Sequence, residues 1–182
     1  MSTLRSAVSI PVVSATVSSQ AQFAQLFEQM YALCKKEGWG DPFSYARSRE
    51  IHMANTLGHK VAPTLSGADA YEDEAMTIPV EYKSTIGSSI NATYNGISVQ
   101  KTWEEQVNYL RQFKICKYRR HYFSRYSEGA IAEIWCMDCE KVLDGLLPSL
   151  ERKFNKEHRG ADPRLGASLS RKYIAEHATK IL

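Results

Sequence analysis

The sequence predicts an α/β protein with helices at both ends of a β-rich middle, and three observations carry that expectation. Phe23, Leu26, Phe27, Met30, Tyr31 and Cys34 recur at helical spacing near the start. Val142, Leu143, Leu146, Leu147 and Leu150 do the same in the second half. Residues 77–83, 121–127 and 130–137 are instead rich in β-branched and aromatic side chains, which suit a pleated, half-buried surface. A chain of 182 residues can bury one core without disulfides, and no internal repeat or linker divides it. The expected organisation is a single compact domain, with an N-terminal arm and helices over residues 1–60 and the chemistry over residues 61–182.

The elements follow in order. Residues 1–19 hold Arg5, many Ser and Thr, and no acids, which faintly mimics an organellar transit peptide. Such peptides use several arginines, so a frayed arm or first strand is the expectation. Ser18 or Ser19 can cap a helix that ends near Gly38. Asp41 and Pro42 then offer an N-cap and a first-turn proline for a second helix toward Leu57, with Gly58 as its stop. Residues 59–66 form a loop into the sheet. Residues 85–100 are small, polar and turn-rich, and Asn95-Gly96 signals a tight turn. Thr102 and Glu105 make a capping box, opening a helix with Val107, Leu110 and Phe113 on one face. Strands over 121–127 and 130–137 join at Glu128-Gly129. A helix over 140–154 contains Pro148, which kinks or divides it. A charged loop over 155–166 leads to the tail.

The net charge is only +3, yet it is unevenly spread. Lys101, Arg111, Lys114, Lys117, Arg119, Arg120 and Arg125 outweigh Glu104 and Glu105, and a second basic excess follows Glu151. Interleaved with Tyr118, Tyr122, Phe123 and Tyr126, these stretches suit a polyanion surface, since phosphate contacts supply most sequence-independent affinity. No apolar run approaches the roughly 18 residues of a membrane span, so no membrane partner is expected. Cys34, Cys116, Cys136 and Cys139 are too few and scattered for a secreted disulfide framework, which predicts a reducing cytoplasm. Cys136 and Cys139 make a Cys-x-x-Cys pair, but no second pair stands at ligand spacing, so its zinc signal is weak.

The chemistry concentrates in residues 67–84. Asp69 stands alone, a polar turn with Glu72, Asp73 and Glu74 follows, and Glu81 and Lys83 come one residue apart. In a strand, residues i and i+2 share a face, so Glu81 and Lys83 project together while Val80 and Tyr82 face the other way. Pro79 marks an edge position or a strand start. If Asp69 lies on the partner strand, two carboxylates and an ammonium converge. Hard oxygen donors of that kind suit Mg²⁺, and the lysine can orient a bound water. Taken alone, Glu-x-Lys is also common as a solvated ion pair; the acidic nest within a basic chain favours the cation site.

With those residues in view, the chain resembles the PvuII-like type II restriction endonucleases of the PD-(D/E)xK nuclease superfamily. The likeness runs through Gly67-Ala-Asp69-Ala, Glu81-Tyr-Lys83-Ser84, Lys117-Tyr118-Arg119, Tyr122-Phe123 to Ile134-Trp135, and Glu151-Arg152-Lys153-Phe154. It is strongest at Tyr173-Ile-Ala-Glu-His177-Ala-Thr-Lys180-Ile181, and it covers roughly the last two thirds of the chain. The resemblance implies a restriction-endonuclease-like fold, a central mixed β-sheet flanked by helices with an N-terminal helical dimerisation region. It implies a homodimer gripping double-stranded DNA, and Mg²⁺-dependent hydrolysis of phosphodiester bonds at a short palindrome, leaving 5′-phosphates. Asp69, Glu81 and the Tyr82 carbonyl would hold the metal, and Lys83 would orient the attacking water. A DNA methyltransferase of the same system would protect the host without direct contact. DNA contacts are expected from Ser84, Thr93, Tyr94, Asn95, Gly96, Ser98, Lys117, Tyr118, Arg119, Asp162, Arg164 and His177.

The departures concern base reading. The family's run of histidines after the catalytic strand is replaced by Tyr94-Asn95-Gly96-Ile97-Ser98, and its paired asparagines before a proline by Ala161-Asp162-Pro163. Base readout depends on side-chain identity, so the reaction carries over and the target sequence does not. A nuclease of the same fold serving repair, recombination or phage DNA processing is the alternative. A non-catalytic DNA binder is disfavoured, because carboxylates facing phosphate repel it.

Overall fold

The computed structural model describes residues 18–63, 67–156 and 164–182; the N-terminal arm through residue 17, and Asp162 with most of its charged loop, lie outside them. The Ser18 hydroxyl accepts the Ala21 N–H at 3.2 Å and opens helix α1 (Ser19–Glu37). Gly38 closes it at φ 70°, in the left-handed region that favours glycine. The apolar face expected for this helix exists but does not enter the core. Phe23 and Leu26 remain 70% and 60% exposed, and Cys34 is the helix's buried residue.

Helix α2 (Arg47–Leu57) begins beyond Asp41-Pro42, contrary to expectation. Asp41 caps a preceding turn instead: its two carboxylate oxygens accept the Phe43 N–H at 2.9 Å and the Ser44 hydroxyl at 2.8 Å. Burial holds α2 in place of a cap. Met53 and Ala54 are fully covered, and the buried Arg47 guanidinium binds the carbonyls of Trp39 and Ala62.

The main sheet has the order β1 (Lys60–Val61), β2 (Ala70–Tyr71), β3 (Pro79–Thr85), β5 (Arg120–Ser127), β6 (Ala130–Asp138) and β8 (Thr179–Lys180). Only β3 and β5 run parallel, so the sheet is mixed, as expected. Pro79 is the first residue of β3, where its missing N–H disrupts the ladder least. Glu128 and Gly129 both have positive φ, the primed turn that matches strand twist in a two-residue hairpin.

Asn95-Gly96 makes no hairpin tip. It lies inside β4 (Ala92–Ile97), which pairs with β7 (Leu165–Leu169) in a separate two-stranded sheet, and the register slips between Tyr94 and Ile97. Gly96, at φ 66°, supplies the left-handed residue of that bulge. The capping box of Thr102 and Glu105 opens α3 (Trp103–Tyr109) as predicted. A π-helical turn over Leu110–Lys114 then changes the phase, so Leu110 and Ile115 are buried and Phe113 points to solvent at 62% exposure. Helix α4 (Cys139–Phe154) runs through Pro148 undivided, and α5 (Arg171–His177) is capped by Ser170.

The sheet separates two cores. Met53 and Ala54 of α2 pack with Val80, Tyr82, Tyr122 and Ile134. Val142, Leu143, Leu146 and Leu150 of α4 pack with Phe123, Met137 and the β4–β7 pair. At Gly145 an added Cβ would lie 2.5 Å from Tyr173 Cε1 and 2.6 Å from Leu169 Cδ2, so α4 approaches its neighbours closely there. No helix among the described residues is long and apolar enough to cross a membrane.

A candidate metal and phosphate site on the central strand

Strand β3 has its α2 face filled by Val80 and Tyr82, so alternation turns Glu81 and Lys83 toward the β4 side. Strand β2 pairs antiparallel with β3, Ala70 opposite Val80, and Asp69 precedes it on the same edge. The Asp69 N–H donates to the Val80 carbonyl at 3.1 Å, and its Oδ2 accepts the Tyr82 N–H at 2.7 Å. A strand residue's N–H and C=O point to the same edge, so the Tyr82 carbonyl also faces Asp69. Lys83 Nζ donates to Glu81 Oε1 and lies 5.1 Å from the centroid of the Tyr94 ring.

Tyr94 is held from below. Its hydroxyl meets buried His121 Nδ1 at 2.9 Å, and His121 Nε2 meets the Ile115 carbonyl at 3.1 Å. A carbonyl can only accept, so Nε2 carries the proton and Nδ1 accepts from the Tyr94 hydroxyl. Burial lowers the His121 pKa to about 4, which keeps the ring neutral.

Desolvation, and then the charge of Glu81, push Asp69 far above the ordinary carboxylate range; the Tyr82 N–H and Lys83 offset this only partly. A small hard cation beside Asp69 relieves both effects, desolvation and the charge of Glu81. Asp69, Glu81 and the Tyr82 carbonyl are the hard oxygen donors that suit Mg²⁺.

Around them Gly67, Tyr94, Asn95, Lys114, Lys117 and Tyr118 complete a cavity of about 350 Å³. Larger clefts occur elsewhere, one of about 640 Å³ between α2 and the β5–β6 hairpin, but neither Asp69 nor Glu81 lines it. The paired carboxylates with a lysine make the smaller cavity the candidate site.

Of the residues singled out from sequence, Tyr94, Asn95, Lys117 and Tyr118 thus share the cavity with the acids. Asn95, Gly96 and Arg164 also line an adjoining cleft of about 620 Å³. Others are not brought there. Ser84 alternates to the Tyr82 face of β3. Thr93 bonds Ser168 across the small sheet at 2.9 Å, and the Ser98 carbonyl accepts from Gln106 at 3.2 Å. Arg119 is exposed, and its backbone ties to Pro79 and Cys139. The His177 ring sits tilted against Tyr173, centroids 4.2 Å apart, and lines a separate cleft with Arg120 and Tyr122. Asp162 lies outside the described residues.

Lys114 and Lys153 stand in the basic stretches and the resemblance without a site role assigned to them. Lys114 reaches the cavity from the π-helical turn, which leaves no mark in hydrophobic periodicity; Lys153 lines the adjoining cleft from the end of α4. Gly67 also went unassigned: its carbonyl accepts the Tyr118 hydroxyl at 2.5 Å and fixes one wall. The chain matches no protein-family model, and a search of curated proteins returned no match.

Proposed function

We propose that this protein is a Mg²⁺-dependent endonuclease of the restriction-endonuclease-like fold, cutting double-stranded DNA at specific sites within a restriction system. The observation that carries the reading is the convergence of Asp69 and Glu81 with Lys83 in one polar cavity walled by Lys114 and Lys117. Asp69, Glu81 and the Tyr82 carbonyl would hold the cation, which supplies Lewis-acid stabilisation of the charge gathering on the scissile phosphate. Lys83, tethered to Glu81 and resting over the Tyr94 ring, orients the attacking water in line with the bond to be broken. Lys114 and Lys117 bind the phosphodiester and add positive charge where negative charge develops. The bond to the 3′ oxygen breaks, leaving a 5′-phosphate and a 3′-hydroxyl.

The adjoining cleft with Asn95 and Arg164 supplies donors and acceptors suited to base edges. The exposed apolar face of α1 supports a homodimer, which a palindromic target requires. The reading also carries a cytoplasmic setting and a protecting methyltransferase. A structure-specific processing nuclease is the second reading, and one observation favours it: the Tyr94 hydroxyl donates its proton to His121 within the fold, which leaves none for a base edge. Incubating the protein with a sequenced plasmid and Mg²⁺, beside Lys83→Ala and EDTA controls, separates them. Discrete fragments sharing one short palindrome, lost in both controls, are expected. Cutting confined to branched DNA would transfer the assignment to the processing nuclease, and metal-independent binding without cutting would end the enzymatic reading.

A further inference from the structure

The four cysteines are free, and two of them meet. Cys136 and Cys139, close in sequence, diverge: Cys136 lies opposite Tyr122 within the β5–β6 ladder. Cys139 instead faces Cys116, and their sulfurs and a Glu140 carboxylate oxygen all lie within 4.8 Å of one another. Cys116 comes just after the π-helical turn, and Cys139 and Glu140 are the first residues of α4. The backbone holds the two segments together, since the Cys139 N–H donates to the Arg119 carbonyl at 3.1 Å. Arg111 grips Glu140 through Nε and Nη2 at 3.0–3.3 Å and so orients its carboxylate.

We propose that Cys116, Cys139 and Glu140 bind one thiophilic divalent cation of the Zn²⁺ class, with water in the fourth position. Two sulfurs and one oxygen are a borderline-soft donor set, unlike the all-oxygen set of Asp69 and Glu81. Tetrahedral Zn²⁺ with bonds of about 2.0–2.3 Å places its ligands roughly 3.5 Å apart, so the trio closes by at most about 1.3 Å. Arg111 is the outer partner that fixes the carboxylate. The consequence is local: residues 115–119 carry Lys117 and Tyr118 into the cavity, and the cation clamps that loop to the start of α4. The proposal stands on these side chains and does not depend on the nuclease reading.

The test uses the full chain, reduced and stripped of metal, titrated with Co²⁺. A thiolate-to-cobalt charge-transfer band in the near ultraviolet, saturating at one Co²⁺ per chain and abolished by Zn²⁺, is expected. Cys116→Ser and Cys139→Ser should each remove the band while circular dichroism shows a folded chain. Cys136→Ser and Asp69→Asn should keep it. Arg111→Gln should weaken Co²⁺ binding about tenfold, the size of a lost outer-shell contact. Because Glu140 is exposed, Glu140→Gln serves if a cysteine variant fails to fold: it should keep the band and raise the Co²⁺ concentration needed. Absence of the band in the reduced protein, its persistence in Cys139→Ser, or binding unchanged in Glu140→Gln would overturn the assignment.

Discussion

Asp69→Asn should stabilise the metal-free protein, and should do so more as the pH rises. Asparagine has nearly the same shape and its carbonyl oxygen can still accept the Tyr82 N–H that Asp69 binds at 2.7 Å. What it removes is a carboxylate whose ionised form is opposed by burial and by Glu81, with a pKa raised from 3.8 to about 8. Below pH 3.8 the group is protonated in folded and unfolded chains alike. Between 3.8 and about 8 the unfolded chain has released the proton while the folded chain keeps it, so stability falls as pH rises. Above about 8 both are ionised and the loss is complete. At about 1.4 kcal/mol per tenfold change in proton affinity, the ceiling is roughly 6 kcal/mol. Solvent reaching the cavity lowers this, and about 1–3 kcal/mol is the expected gain of Asp69→Asn at pH 9. For a chain of this size that is a Tm rise of roughly 2–12 °C. Thermal unfolding in EDTA from pH 4 to 9 measures it: the two proteins should coincide near pH 4 and diverge above it. Added Mg²⁺ should then raise the Tm of the wild type and leave Asp69→Asn unmoved. A variant less stable than wild type at pH 9 without metal, or a gap that does not widen with pH, would refute the electrostatic reasoning.

Lys83→Met keeps the side-chain volume and removes the ammonium; plasmid cleavage should fall at least about 100-fold while DNA retention in a gel shift stays within a few-fold. Gly145→Ala is ordinarily favourable in a helix by about 1 kcal/mol. Here the new methyl would meet Tyr173 Cε1 at 2.5 Å, so urea titration should show a net loss of about 1–3 kcal/mol. Glu133 is pushed up by burial, yet hydrogen bonds from Trp135, Arg125 and Arg171 hold its pKa down at about 2. Its contribution is therefore present above pH 4.5 and lost as pH falls toward 2; Glu133→Gln should flatten acid unfolding over that range and cost about 1–3 kcal/mol at pH 7. Phe23→Glu combined with Leu26→Glu should convert a dimer to a monomer in sedimentation velocity, with far-ultraviolet dichroism unchanged.

Where local chemistry decides an element, it could be read from residues alone. Ser18 and Gly38 bracket α1, Thr102 and Glu105 open α3, and Glu128-Gly129 turns the β5–β6 hairpin, because each satisfies backbone groups within a few residues. The shared face of Glu81 and Lys83 followed from strand alternation. Features set by distant partners stayed hidden. Asp41-Pro42 carries every mark of a helix start, but α2 begins later, where Arg47 can reach the Trp39 and Ala62 carbonyls. Asn95-Gly96 looked like a hairpin tip because β7, seventy residues on, cannot be foreseen as its partner. The π-helical turn shifted Phe113 outward and Lys114 into the cavity, and His121 beneath Tyr94 was visible only once β4 lay over β5.

The parallel pairing of β3 with β5 has a consequence for the order of folding. The β5–β6 hairpin joins neighbours in sequence through a two-residue turn and can close in roughly 1–10 μs. Strand β3 must find β5 across the whole segment between Thr85 and Arg120, which includes β4, α3 and the π-helical turn, and so meets a larger loop-closure cost. Strand β2 is a sequence neighbour of β3 and pairs with it locally, which brings Asp69 to Glu81. The two carboxylates can therefore meet early in this local pair, while Tyr94, Asn95, Lys114, Lys117 and Tyr118 of the cavity wall come from the long segment that closes later. The cavity as a whole, acids and lysines together, is complete only once β3 has met β5.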